Sequence, residues 1–88
     1  MGKFYPKRRS DVNVRVVEHE TVVFDRKGGL IHQLNETAGY IWDRCDGKST
    51  VQDITSSLSE TFGIGPETAR KDSTAIVSQL QQLNLLEA

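Results

Sequence analysis

Chemistry in a short chain needs ionisable or nucleophilic side chains held together in a water-poor pocket. Two imidazoles are present, His19 in a polar stretch and His32 inside an apolar one. Neither belongs to a ligand cluster, so no metal site is expected. The carboxylates Glu18, Glu20, Asp25, Glu36, Asp43, Asp46, Asp53, Glu60, Glu67 and Asp72 are scattered. Most fall at turns, helix starts or solvent-side positions, where they cap or stay hydrated. Cys45 is the one thiol and sits on an apolar stripe, which reads as a small buried hydrophobe. Gly28-Gly29 precedes a strand rather than a helix, so it reads as a hairpin turn and not as a phosphate cradle. These residues predict no enzyme and no cofactor.

The composition narrows the class further. The chain has 88 residues, enough for one domain. Eleven Lys+Arg against twelve Asp+Glu leave a net charge of −1, and so no global field to gather nucleic acid or anionic lipid. No apolar run is long enough to span a bilayer, and no secretory signal is read at the N-terminus. A lone cysteine excludes a disulfide framework and fits a reducing, cytoplasmic setting.

Residues 1–11 carry Lys3, Lys7, Arg8 and Arg9 and read as a flexible or loosely docked basic arm, with the domain proper at 12–88. Val12, Val14 and Val16 alternate with Asn13, Arg15 and Val17, which predicts a strand. Thr21–Phe24 and Leu30–Leu34 are two more. Turns at Glu18–Glu20 and Asp25–Gly29 connect them into an antiparallel meander. Asn35 then caps a helix whose stripe is Ala38, Ile41, Trp42 and Cys45, stopped at Gly47. Ser49 with Gln52 suggests a capping box for a second helix, buried through Val51, Ile54, Thr55, Leu58 and Phe62. Pro66 opens a third helix running to about Asn84, with Ala69, Ile76, Val77, Leu80 and Leu83 apolar and Asp72 and Ser73 polar on the same side. Leu85 and Leu86 are expected to fold back on the core. The class is α+β: a three-stranded antiparallel sheet followed by three helices, winged helix-turn-helix-like.

A winged-helix DNA-binding module is the alternative function, but its recognition helix, 51–62, contains no Lys or Arg. A third reading is a docking subunit of a larger enzyme. The sheet offers more: an open edge beside a helix accepts an extended peptide as an added strand. Ser73, Ala75 and Ser78 on the third helix leave room for a shallow groove.

Leu34-Asn35-Glu36-Thr37-Ala38, Ile41-Trp42, Asp46-Gly47, Thr50-Val51, Ile54, Leu58, Phe62-Gly63-Ile64, Asp72 and Leu80 together resemble the PqqD-like family over residues 12–87. The resemblance implies a recognition element for ribosomally synthesised and modified peptides. Such a domain binds a precursor's leader and presents it to a modifying enzyme, of the radical SAM type in pyrroloquinoline quinone synthesis. A lasso peptide or another modified-peptide cluster is equally open. By the same resemblance the leader adds to the third strand (Leu30, Ile31, His32, Gln33 and Leu34). It faces Asp72, Ala75, Ile76 and Gln79 of the third helix, with Arg70 and Lys71 available for acidic leader residues. The expected partners are therefore a leader peptide and a maturase, with no nucleic acid or membrane, for a monomer or weak dimer.

Overall fold

Two short polar loops fold the first half of the chain back on itself twice. A computed structural model describes residues 3–87. Its elements are β1 (Asn13–Val17), β2 (Glu20–Asp25), β3 (Leu30–Leu34), α1 (Glu36–Arg44), α2 (Val51–Phe62) and α3 (Pro66–Gln82). The sheet is antiparallel in the order β1-β2-β3, with no crossover. Glu18 adopts φ 59 in the two-residue loop before β2, and Gly29 adopts φ 68 in the loop before β3. The Asp25 carboxylate accepts the Gly28 N–H at 3.2 Å, and a Cβ on Gly28 would lie 2.8 Å from that carboxylate. The second loop thus closes over the side chain that begins it.

One face of the sheet receives α1. Val23 and Leu34 are buried there against Ala38, Ile41 and Trp42. Helix and sheet approach closely because Gly39 has no side chain: a Cβ there would meet Thr21 Oγ1 at 2.5 Å. Asn35 caps α1 as the sequence suggests, its Oδ1 accepting the Ala38 N–H at 2.8 Å. The helices close the other side of the core with Ile54 and Leu58 from α2 and Ala69, Val77 and Leu80 from α3. Leu85 folds back and is fully buried.

Two helix ends differ from the sequence reading. Helix α1 stops at Cys45, whose N–H bonds to the Trp42 carbonyl, and not at Gly47. The α2 capping box is Thr50 with Asp53, one residue later than Ser49 with Gln52. The cause is Asp46: its carboxylate accepts the N–H groups of Lys48 and Ser49, and that holds Ser49 in the preceding turn. Helix α3 ends two residues before Asn84, which takes φ 58 as the chain turns back.

The basic segment read as a flexible or loosely docked arm is docked over residues 6–9. Pro6 is fully buried. Lys7 bridges to Asp46 and Arg8 to Leu86. The Arg8 guanidinium donates to the Asp43 and Cys45 carbonyls, satisfying groups the end of α1 leaves free. Arg9 donates to Asp25, Asp11 and the Asn84 carbonyl, so it ties the sheet to the C-terminal tail. Cations in this run are spent on internal acceptors, which a composition count does not reveal. Met1, Gly2 and Ala88 lie outside the described residues.

Candidate functional site

The backbone of β3 defines the site. A two-residue loop makes its flanking pair, Val17 and Glu20, a hydrogen-bonded one, and bonding alternates from there. Glu20, Val22 and Phe24 therefore turn their N–H and C=O groups to β1, and Thr21, Val23 and Asp25 turn theirs to β3. The β3 partners of those three are Leu34, His32 and Leu30. That leaves the N–H and C=O groups of Ile31 and Gln33 directed away from the sheet, unpaired along an open border.

Side chains alternate in step with this. Ile31 and Gln33 lie on the outer face; Ile31 is 68% exposed and Gln33 is held by a bond to Glu20 at 2.8 Å. Leu30, His32 and Leu34 lie on the face that carries Val23. Leu34 is buried, His32 half-buried and Leu30 55% exposed, so cover thins along the strand toward the loop. The His32 Nε2 atom is buried without a hydrogen-bond partner.

Helix α3 stands beside this border without closing it. No Cα of α3 comes within 8 Å of a β3 Cα. A paired strand lies about 4.8 Å from its neighbour, so the α3 backbone does not occupy the place of a fourth strand. Just past the C-terminal end of β3 a hollow of about 200 Å³ is lined by Asn35, Thr37, Asp72, Ala75 and Ile76. Three of the four expected α3 residues thus come together there. Gln79 is one helical turn further on the same side and exposed.

Arg70 goes elsewhere. It lies about 160° around α3 from Asp72, donates to Glu67 at 2.9 Å and lines a separate hollow between α2 and α3. A helix carries residues two apart to nearly opposite faces, which a list of neighbouring cations hides. Lys71 is exposed at the margin of the groove side. Asn35 and Thr37 are lining residues that the sequence reading misses. Asn35 is legible there only as a cap, although its place directly after the edge strand is an available signal.

The charged groups found in clusters bond to one another and to the backbone. Asp25 is nearly buried, and the Arg9 guanidinium followed by the Gly28 N–H holds its carboxyl below the usual range. Arg9 does the same to Asp11, which also sits 3.3 Å from Lys27. Asp46 and Asp53 are lowered by the turn and cap N–H groups they accept. His19 lies 3.6 Å from Glu36 with both side chains largely exposed. Tyr40 Oη shares hydrogen bonds with Ser57 and Thr61, and the Arg44 guanidinium lies 4.9 Å over its ring. Among the described residues no group of three His, Cys, Asp or Glu could hold a metal ion, and no helix is long and apolar enough to cross a membrane.

Comparison with known proteins agrees with the fold. Two solved structures share the fold. One, described as TbiB1 in complex with the TbiA(beta) leader peptide, superposes with a TM-score of 0.80 at 18% identity, over 93% of this chain and 95% of that one. The other, lasso peptide synthetase B1 complexed with the leader peptide, gives 0.78 at 24% identity, over 94% and 96%. No curated protein matches at the sequence level. The profile of one protein family spans residues 20–86, from the first residue of β2 to the C-terminal tail. The chain belongs to the family of coenzyme PQQ synthesis protein D (PqqD).

Proposed function

We propose that the protein is a peptide-recognition domain that binds the leader of a ribosomally made precursor and presents it to a separate modifying enzyme. The observation that carries this reading is the unpaired border of β3, at Ile31 and Gln33, beside the open gap to α3. Two N–H and two C=O groups are offered to an extended chain. Each hydrogen bond formed contributes about 1 kcal/mol net. Exposed Leu30 and Ile31 add apolar area that a guest strand would cover. Ordering a floppy peptide costs about 2–5 kcal/mol, so these contacts and further side-chain anchors together must exceed that cost. The family and the leader-bound neighbours of the same fold support the peptide partner. The enzyme served would be of the radical SAM or another peptide-modifying type, in the cytoplasm where precursors are made. Pyrroloquinoline quinone synthesis is one pathway open to it.

Duplex DNA is disfavoured by the charge of α2, which has no Lys or Arg and carries Asp53 and Glu60. The test is an amide NMR titration with the leader of a precursor encoded beside this protein. The proposal expects joint shifts of Ile31, Gln33 and the 72–79 stretch of α3. Saturable binding that leaves those amides unmoved would refute the site, and no binding to any neighbouring precursor would refute the function.

A further inference from the structure

We propose that β1 is a second docking edge, on the opposite border of the sheet, for an extended segment of a partner protein that alternates apolar and acidic residues. The hydrogen-bond parity that frees Ile31 and Gln33 also acts on β1. Asn13, Arg15 and Val17 pair with β2, so the N–H and C=O groups of Val14 and Val16 face outward. Every residue of β1 is exposed, and no helix Cα comes within 8 Å of it. Val14 and Val16 share the inner face with Val23 and Thr21, yet they are 42% and 69% exposed because α1 covers only β2 and β3. Natural edges are often blunted by proline, a bulge or charged side chains; β1 has no proline and no bulge, and Arg15 is its one charged residue.

Toward the second loop the outer face beside this edge carries Arg15 and Arg26, whereas Glu20, opposite Val17 at the other end, is bonded to Gln33. A hollow of about 470 Å³ is lined by Asn13, Val14, Arg15, Phe24 and Arg26. The nearby carboxylates Asp11 and Asp25 are already held by Arg9 and Lys27. Among the described residues Arg15 and Arg26 form no ion pair, whereas Lys7 and Arg9 do. A strand added to β1 would place alternate residues on the two faces. Those opposite Val14 and Val16 meet exposed valine and should be apolar. Those opposite Asn13 and Arg15 fall on the outer face, within reach of Arg26 and Arg15, and should be acidic.

A second copy of this chain fits less well. Pairing two β1 strands about a two-fold axis sets Arg15 against Asn13, Arg15 or Val17 of the other copy. It also gathers Arg15 and Arg26 of both copies on one face, and like charges directly opposite across strands destabilise. The borders β1 and β3 lie about 10 Å apart across β2, so both can be occupied together. The sheet would then hold the leader on one side and the partner on the other.

The probe is a capped Val-Glu-Val-Glu-Val peptide, with its Lys-for-Glu counterpart as control, titrated into the full chain and read by amide and guanidinium NMR. The acidic probe should shift Val14, Val16, Arg15 and Arg26 and bind about tenfold more weakly to the Arg15→Glu, Arg26→Glu double variant. Val16→Lys should weaken it too, and all three substituted side chains are solvent-facing, so the fold should persist. Equal binding of the lysine probe, shifts confined to Ile31 and Gln33, or no shifts would overturn the proposal. So would shifts of Val14 and Val16 that depend on protein concentration alone, which would mark a second copy. Leader binding is read at β3, so either edge can fail without the other.

Discussion

Proline scanning along β3 separates the edge that binds from the edge that folds. Ile31→Pro removes an N–H that the protein itself does not use. The side chain is 68% exposed, so little buried area is lost, and proline is tolerated on an edge whose N–H faces solvent. The expected cost in stability is below about 1 kcal/mol. His32→Pro instead removes the N–H paired with fully buried Val23. Losing that bond and stranding its acceptor costs about 2–4 kcal/mol. Leader binding should respond in the opposite way. Ile31→Pro deletes one intermolecular bond, and its ring obstructs approach at strand spacing, which together weaken affinity about 10- to 100-fold. Urea unfolding measures the first pair of values and calorimetric titration with the leader the second. Equal destabilisation by both prolines would show that the hydrogen-bond parity is wrong. A well-folded Ile31→Pro with unchanged affinity would remove β3 as the docking edge.

Other expectations concern the scaffold. Trp42, 1% exposed between sheet and helices, should lose about 3–5 kcal/mol as Trp42→Ala in urea unfolding. The Asp25 carboxyl is held below its ordinary value of 3.8 by Arg9, so its contribution is complete above that pH and is lost as pH falls through the lower folded value. Unfolding midpoints recorded from about pH 5 to about pH 2 should therefore drop less steeply in Asp25→Asn than in the parent chain. Burial pushes the Cys45 thiol up to about 11. At pH 8 only about one thiol in a thousand would be ionised, so labelling by a disulfide reagent should track unfolding; rapid labelling of the native protein would contradict the buried placement. Thr50→Ala should cost about 1 kcal/mol through loss of the α2 cap, measurable in the same unfolding assay.

The order of elements was legible in the sequence because local physics writes it. Valine alternation marks β1, the Gly28-Gly29 pair marks the second loop, Asn35 caps α1, and Pro66 opens α3. The strand limits Leu30–Leu34 and the stripe Ala38, Ile41, Trp42 and Cys45 came out as read. The family likeness pointed to the same strand and to Asp72, Ala75 and Ile76, which meet at one hollow.

What stayed hidden depends on groups far apart in the chain. Asp46 reaching forward to Ser49 moved the α2 cap by one residue. Arg9 reaching Asp25 and the Asn84 carbonyl turned a basic arm into a strap. The turn of α3 sent Arg70 to Glu67 and away from the groove. Periodicity tells which side of a strand or helix is apolar, since that follows from neighbours in sequence. Which border of the sheet stays unpaired, and what stands across from it, follows only from how distant segments meet in space.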